Sequence, residues 1–262
     1  MRRNREMGRN CEMKRGVRQG NVEHKRLLLI GGGSGFGEAL VTALGVDEVI
    51  RTSRTGDGAD AALLLEDTVT HRPVLERLFT GGHDRGTDFT DTVRSGFDLV
   101  IVAAGNLPEE DTPEQLRRYA STDLAGGLSV LRTVGELLEA NGGGRIVFLS
   151  SMSAVRLRRG RRWYGATKRQ LERATRAEDR RTGVHTTVVR AGRVATAMTE
   201  GRPGVGPIQA PQVAAVRAVH GIRRGRRTVY TSHLLAFVGI ALRLLPARAL
   251  ALLEPAQRST VP

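Results

Sequence analysis

Short apolar runs alternate with longer segments of helical periodicity over most of the chain. Glycine, proline or small polar residues bound each apolar run, which is typical of buried strands. The pattern predicts seven strands, at Arg26–Ile30, Glu48–Thr52, Ala61–Leu65, Asp98–Ala103, Arg145–Ser150, Val184–Val189 and Arg227–Thr231.

The segments between these runs carry apolar residues at helical spacing. The helices predicted are Gly35–Leu44, Pro73–Phe79, Pro113–Ala140 as one helix or two, Trp163–Arg181 and Pro211–Arg224. Regular alternation of strands and helices favours a parallel sheet with helices on both faces. The sequence therefore predicts an α/β fold, a Rossmann-type doubly wound sheet of seven parallel strands in a single domain.

The 262 residues suit one such domain with short extensions. We predict that residues 25–232 form the domain and that residues 1–24 are a basic, disordered tail. Residues 80–97, rich in glycine and polar side chains, are predicted to be a loop insertion. Residues 233–262 are predicted to form an apolar helical extension, which Pro246 interrupts.

The apolar run Leu234–Leu245 in that extension contains Arg243 and is shorter than the roughly 18 apolar residues of a membrane span. We predict that it packs on the domain or on a partner subunit. The alternative is peripheral contact with a membrane, to which Arg243 and Arg248 would contribute.

Positive charge dominates the chain, with a formal net charge of +14, and all but three of its 41 basic residues are arginine. Residues 1–26 hold nine basic and three acidic side chains. Such a tail can bind nucleic acid, but it lacks aromatic residues and apolar periodicity, so a solvated extension is favoured. No nucleic-acid partner is expected.

Cys11 is the only cysteine, which excludes a disulfide within the chain. The basic N-terminal segment is followed by polar residues, whereas a signal peptide would continue with an apolar region. We therefore predict a cytoplasmic protein.

A glycine-rich loop joins the first predicted strand to the first helix. Glycines let the backbone approach a pyrophosphate closely, and the helix N-terminus directs amides and a dipole at its charge. A glycine loop alone is a weak signal, but its position between a strand and a helix favours dinucleotide binding. The residues predicted to bind are Gly31, Gly33, Ser34, Gly35, Phe36 and Gly37.

The second predicted strand ends in Thr52, Ser53 and Arg54, without an acid. A site that prefers NAD would carry an acid here to accept hydrogen bonds from the ribose 2′-hydroxyl. Arg54 could instead pair with a 2′-phosphate, and Ser53 and Ser34 could add hydrogen bonds. The sequence therefore predicts NADP(H) as the cofactor.

Tyr164 and Lys168 are spaced to lie on one face of a helix. A ketone that receives hydride on carbon must receive a proton on oxygen, and a lysine ammonium one turn away favours the tyrosine phenolate. Lys168 is also the only lysine after residue 25. Ser151 follows the fifth predicted strand, at a strand end where ligands bind, and its hydroxyl can hydrogen-bond the substrate carbonyl.

These motifs resemble those of the short-chain dehydrogenases/reductases, in order, from about Lys25 to Thr231. The resemblance implies that Tyr164 is the general acid, that Lys168 lowers its pKa and binds the nicotinamide ribose, and that Ser151 polarises the carbonyl. It implies further cofactor contacts at Asp67, Ala103, Ala104, Gly105, Gly192, Val194 and Thr196.

Three positions depart from the family pattern. Ile30 replaces a threonine before the glycine loop, and Val102 replaces an asparagine. Asp123 stands where the family has an active-site asparagine that supports a proton relay, so the resemblance implies a catalytic position there with altered chemistry. An aspartate accepts the same hydrogen bonds but does not donate as an amide does.

Two short segments are similar to reductases that act on decaprenylphosphoryl 2-keto-pentose. They are Arg156–Arg159 and Thr228–Tyr230 with the apolar segment that follows. The arginines between Ser151 and Tyr164, of which Arg156, Arg158 and Arg159 are the candidates, would suit a phosphate-bearing or other anionic substrate. The opposing interpretation is a solvated basic surface.

The sequence therefore predicts an NADPH-dependent ketoreductase acting on a small carbonyl or alcohol substrate, with sugar-like or phosphorylated compounds as candidates. We also expect a homodimer or homotetramer, and no metal. The alternative is an NADP-binding sensor or partner subunit without catalysis, which Asp123 and Val102 would favour. A nucleic-acid-binding protein is a third class, and it lacks any DNA-reading motif.

Overall fold

The computed structural model describes residues 26–81, 96–107, 112–155, 162–202 and 207–237. Several predictions lie outside these residues. They concern the tail 1–24, most of the loop 80–97, the substrate candidates Arg156, Arg158 and Arg159, and the extension beyond residue 237.

The described residues form nine strands and six α-helices. The strands are β1 (Arg26–Ile30), β2 (Glu48–Ser53), β3 (Ala61–Ala62), β4 (Leu99–Val102), β5 (Gly144–Ser151), β6 (Val184–Ala191), β7 (Arg193–Val194), β8 (Ile208–Gln209) and β9 (Thr228–Tyr230). The helices are α1 (Gly35–Leu44), α2 (Thr68–Phe79), α3 (Pro113–Arg118), α4 (Gly127–Ala140), α5 (Arg162–Ala177) and α6 (Pro211–Arg223).

Seven of the strands make one parallel sheet, in the order β3-β2-β1-β4-β5-β6-β9. The predicted Rossmann-type fold is therefore confirmed. The chain winds from β1 outward to β3, then crosses back to β4 on the other side of β1. Ligands bind in the crevice at such a switch point, outside the carboxyl ends of the strands.

Apolar side chains on both faces of β1 and β4 form two cores. Leu27 and Leu29 pack with residues of α1 and α6. Leu28 and Ile30 pack on the opposite face with residues of α2, α4 and α5. Burial on both faces explains why these strands are continuous apolar runs in the sequence.

The predicted start of α2 at Pro73 was wrong, because the helix begins five residues earlier at Thr68. The buried ring of His71 lies 2.9 Å from Ser129 Oγ and 2.8 Å from the Leu64 carbonyl oxygen. These contacts with distant segments hold the first turn helical although a proline follows it. The strand β3 has two residues where five were predicted, because its pairing with β2 ends at Ala62.

The long helix predicted over Pro113–Ala140 is divided by a π-helical segment, Tyr119–Gly126. A Cβ on Gly126 would overlap the Leu65 carbonyl oxygen, so the helix approaches this backbone as only glycine allows. The strands β7 and β8 pair in a separate two-stranded sheet that the sequence did not predict. At two residues each, they are too short to give a periodic signal.

A further helical segment begins after β9 at residues 233–237, where the predicted C-terminal extension starts. Among the helices of the described residues, none is long and apolar enough to span a membrane.

Candidate active site

A cavity of about 260 Å³ opens at the carboxyl ends of the central strands. The glycine loop before α1 lines one side of it. Ser151 at the end of β5, with Tyr164 and Lys168 on α5, lines another. The structure therefore brings the predicted cofactor loop and the predicted catalytic residues into one cavity.

The glycine loop has the shape that a pyrophosphate requires. Gly31 has φ of +96°, and a Cβ there would lie 2.8 Å from the Ala104 nitrogen. Ser34 caps α1, since its hydroxyl accepts a hydrogen bond of 3.1 Å from the Gly37 nitrogen. A Cβ on Gly33 would meet no atom within 4 Å, so the loop faces open space. The positive end of the α1 dipole thus faces a cavity with room for an anion.

The three catalytic candidates come from two neighbouring elements. Ser151 is the last residue of β5, and its hydroxyl accepts a hydrogen bond of 3.2 Å from the Ser153 nitrogen. Tyr164 and Lys168 lie one turn apart on α5, with Lys168 Nζ 5.9 Å from the centre of the Tyr164 ring. The cavity lining therefore presents a hydroxyl, a phenol and an ammonium.

Burial governs the charge of Lys168, whose side chain is 7% exposed. Burial lowers the pKa of Lys168, and the negative charge of Asp123 opposes that effect. A Cβ on Gly105 would lie 2.9 Å from Lys168 Nζ, and the ammonium is 5.2 Å from the centre of the Phe148 ring. The loop after β4 can pass the ammonium because it carries glycine there.

Asp123 lies in the π-helical segment and is buried. Its Oδ1 accepts a hydrogen bond of 3.0 Å from the Asn106 nitrogen, and the Tyr119 hydroxyl donates one of 3.1 Å to the Asn106 oxygen. π-Helical turns are frequent at functional sites. This one attaches the loop after β4 to the helix and sets a carboxylate close to Lys168.

The comparisons with known proteins agree with this geometry. Residues 25–203 match the family model described as short chain dehydrogenase. The protein belongs to the short-chain dehydrogenase family. It is an oxidoreductase of that family, as predicted from its motifs.

One relative is an uncharacterised oxidoreductase of Mycobacterium tuberculosis, 27% identical over 188 residues, which are 69% of this chain and 71% of the relative. A short chain dehydrogenase from Burkholderia cenocepacia in complex with NADP has a TM-score of 0.72 at 20% identity, covering 90% of this chain and all of that one. A 3-ketoacyl-(acyl-carrier-protein) reductase from Brucella melitensis complexed with NADH has a TM-score of 0.62 at 18% identity, covering 79% and 96% of the two chains. These likenesses support the fold.

Most of the residues predicted to bind the cofactor or to take part in catalysis line the cavity. They are Gly33, Ser34, Gly35, Phe36, Ala103, Gly105, Ser151, Tyr164, Lys168, Gly192, Val194 and Thr196. Thr196 also contacts the glycine loop, because a Cβ on Gly35 would lie 3.3 Å from its Cγ2. The segment of Val194 and Thr196 therefore lies against the cofactor loop.

The other predicted residues lie outside the cavity lining. Gly31, Gly37 and Ala104 lie behind the lining and pack closely against neighbouring loop atoms, and the Asp123 carboxylate accepts a hydrogen bond from the Asn106 nitrogen. Arg54 and Asp67 are exposed at the ends of β2 and at the start of α2. The Ser53 hydroxyl accepts a hydrogen bond of 2.9 Å from the Gly56 nitrogen and so shapes the turn after β2.

Sequence reasoning missed a group of cavity residues that belong to no motif. They are Asn106, Leu107, Met152, Arg193, Met198, Leu234 and Leu235, among others. Met152 and Arg193 adjoin predicted residues, so proximity in sequence could have found them. Leu234 and Leu235 follow β9 and reach the cavity only through the fold.

A buried ionic network was also missed, although it adjoins Ser151. Glu172 on α5 accepts hydrogen bonds of 2.9 and 2.5 Å from Arg190 on β6 and of 2.7 Å from the Ser150 hydroxyl. Arg190 also donates to the Tyr230 hydroxyl at 2.8 Å. No spacing in the sequence brings these strands and this helix together.

Proposed function

We propose that the protein is an NADPH-dependent ketoreductase, which transfers hydride between the nicotinamide and the carbonyl of a small substrate. The observation that carries the proposal is the single cavity in which Ser151, Tyr164 and Lys168 face the N-terminus of α1. Neither a metal nor a nucleophile–base pair is needed for this chemistry.

The side chains have complementary roles in reduction. When bound, the nicotinamide supplies the hydride for the carbonyl carbon. Tyr164 donates its phenolic proton to the carbonyl oxygen, which yields the alcohol. The buried ammonium of Lys168 stabilises the phenolate that remains, and its N–H groups suit the ribose hydroxyls. Ser151 donates a hydrogen bond to the carbonyl oxygen and orients it.

Two approaches test this proposal together. Cofactor binding is titrated with NADPH and NADH, and a panel of keto-sugars and other ketones is screened for NADPH oxidation. Cofactor oxidation with any ketone supports the reductase. Tight NADPH binding without turnover across the panel favours the alternative, a non-catalytic sensor or partner subunit, for which the departure at Asp123 is the motivation.

The proposed preference for NADPH over NADH rests on the residues at the end of β2. Arg51 is paired with Glu38, with contacts of 2.9 and 3.1 Å, and its backbone nitrogen donates to Asp60. Arg54 is exposed where the strand ends, so its guanidinium is the group available to a 2′-phosphate.

Arg54→Ala is expected to narrow the preference for NADPH over NADH at least tenfold, because a hydrogen bond to a charged group contributes about 1.5–3 kcal/mol. The measurement is the ratio of the two dissociation constants. Arg132→Ala, which removes an exposed arginine on α4, is the charge-matched control and should leave the ratio unchanged. Equal affinities for the two cofactors in the unmodified protein would refute the assignment.

Asp123→Asn is expected to retain activity near neutral pH, because the amide oxygen can still accept from the Asn106 nitrogen. Loss of the carboxylate removes the charge that supports the Lys168 ammonium, so the already lowered pKa of Lys168 falls further. The alkaline limit of kcat should therefore move to lower pH.

The control for that shift is Asp47→Asn, an exposed aspartate between α1 and β2, whose pH profile should match that of the unmodified protein. An Asp123→Asn variant without activity at any pH would mean that the carboxylate has a charge-dependent role of its own.

The substrate class is proposed on the charge of the cavity. Its charged lining residues among the described ones are Lys168 and Arg193, both cationic. This supports an anionic, sugar-like or phosphorylated substrate, and with it the likeness to reductases of decaprenylphosphoryl 2-keto-pentose. The contribution of Arg156, Arg158 and Arg159 remains a prediction.

Assembly as a homodimer or homotetramer and a cytoplasmic location also remain predictions. Val213 and Val216 support the first, because these apolar residues on α6 are 48% and 63% exposed. The alternative to burial between subunits is peripheral membrane contact through the C-terminal extension. Vesicle sedimentation at physiological salt distinguishes the two, because strong binding to the vesicles would favour membrane contact.

A further inference from the structure

Apolar side chains from four separate segments of the chain form part of the cavity lining. The side chains concerned, called the apolar wall below, are Leu107, Met152, Met198, Leu234 and Leu235. Leu107 follows the loop that contacts Lys168, and Met152 follows Ser151. Two members of the wall therefore adjoin segments that carry or contact the catalytic groups.

The wall continues to the protein surface. Met198 is 40% and Leu234 61% exposed, and Ile208 and Phe237, on the β8 and 233–237 segments, are exposed as well. No carboxylate side chain lines the cavity among the described residues. A polar group would gain nothing from contact with these apolar side chains, whereas an apolar chain would be removed from water along its length.

The position of Leu235 is fixed by contacts with the sheet. It packs on Gly192, where a Cβ would lie 2.5 Å from its Cδ1. Its backbone nitrogen donates to the Ser232 hydroxyl at 3.1 Å, and the Gly192 nitrogen donates to the Thr231 hydroxyl at 3.3 Å. These contacts hold this side of the wall against the sheet.

The opposite side is held by two arginines. Arg202 Nη1 donates to the Leu107 oxygen at 2.6 Å, and Arg193 Nη2 donates to the Arg202 oxygen at 2.9 Å. These bonds connect the segment of Met198 to the segment of Leu107. Leu107 and Met198 thus remain on the same side of the cavity mouth, and the methionine can adapt its shape to a ligand.

We propose that the substrate carries an unbranched apolar chain, which extends from the carbonyl along the apolar wall toward Leu234. This inference rests on the proposed ketoreductase function and specifies one part of its substrate. An anionic group elsewhere on the substrate is compatible with it, because Arg193 lines the same cavity.

The first test uses unbranched methyl ketones from 2-butanone to 2-octanone with NADPH. Each added methylene is expected to raise kcat/KM about threefold to fourfold until the wall is covered, which corresponds to about 0.8 kcal/mol for each buried methylene. Leu234→Ser should reduce kcat/KM for 2-octanone severalfold and change the value for 2-butanone much less, so the gain with chain length should shrink.

Val216→Ser is the matched control, because Val216 is 63% exposed on α6 and does not line this cavity. It should show the same dependence on chain length as the unmodified protein. Values of kcat/KM that stay constant or fall with chain length would overturn the proposal, and so would an equal effect of the two serine variants.

A binding measurement separates this inference from the proposed function. Affinities of straight-chain alcohols from 1-butanol to 1-octanol are determined by calorimetry with the NADP-saturated protein, or with the free protein if it binds no NADP. Absence of ketone turnover would count against the proposed ketoreductase function. Alcohol affinity that rises with chain length and falls in Leu234→Ser would still support binding of an apolar chain along the apolar wall. Affinity independent of chain length would refute the wall, whatever the turnover.

Discussion

Tyr164→Phe is expected to lower kcat for ketone reduction at least a hundredfold, because general acid catalysis contributes roughly 10²- to 10⁴-fold. Phenylalanine keeps the ring and loses the proton donor. NADPH affinity should remain within about twofold, since the phenol proton is needed in the transition state. Steady-state kinetics and a fluorescence titration of NADPH measure the two effects separately.

The matched control is Trp163→Phe at the preceding position, where the side chain is 45% exposed and does not line the cavity. This variant should retain kcat. Lys168→Ala should lower both kcat and NADPH affinity, because one ammonium serves the phenolate and the cofactor ribose. Normal turnover by Tyr164→Phe would show that another acid protonates the product.

Local sequence was sufficient to predict those parts of the site that lie within a single segment of the chain. The segment from Gly31 to Gly37 includes the turn after β1, the helix cap at Ser34 and the first residues of α1. Tyr164 and Lys168 are brought together by helical periodicity alone. These features depend on neighbours within a few residues, so they could be inferred before the fold was known.

The features that the sequence did not predict depend on contacts between distant segments. The first turn of α2 is held by the contacts of His71 with Ser129 and with the Leu64 carbonyl. The π-helical segment at Asp123 is joined to the loop after β4. The apolar wall combines four segments, of which Leu107 and Leu234 are 127 residues apart in the numbering. Periodicity contains no information on such pairs.

The buried network around Glu172 is the strongest example of such a non-local arrangement. The side chains of Glu172 and Arg190 are 2% and 3% exposed, and the pair connects α5, β5, β6 and β9. Burial alone would raise the pKa of Glu172, but the hydrogen bonds and charge of Arg190, with the Ser150 hydroxyl, outweigh it and lower that pKa. The carboxylate is therefore more stable in the folded protein than in the unfolded chain.

Glu172→Gln is expected to lower the free energy of unfolding at neutral pH by about 3–5 kcal/mol, because it leaves the Arg190 charge buried without its counter-ion. Urea unfolding without cofactor measures the loss. A Glu172→Leu and Arg190→Met double variant should lose less than Glu172→Gln, since it removes both buried charges. Glu76→Gln, which breaks an exposed pair with Arg72 on α2, should lose about 0.3–0.5 kcal/mol.

The pH dependence of the stability loss in Glu172→Gln tests whether the charge of Glu172 causes that loss. A carboxyl whose pKa is lowered by folding contributes stability above its unfolded pKa of about 4.3, and that contribution is lost as pH falls through the folded value. The difference in stability between the unmodified protein and Glu172→Gln should therefore be largest near neutral pH and should shrink as the solution is acidified below the ordinary glutamate range. A difference that stays constant with pH would mean that glutamine disturbs the packing at this position and that the charge of Glu172 contributes little.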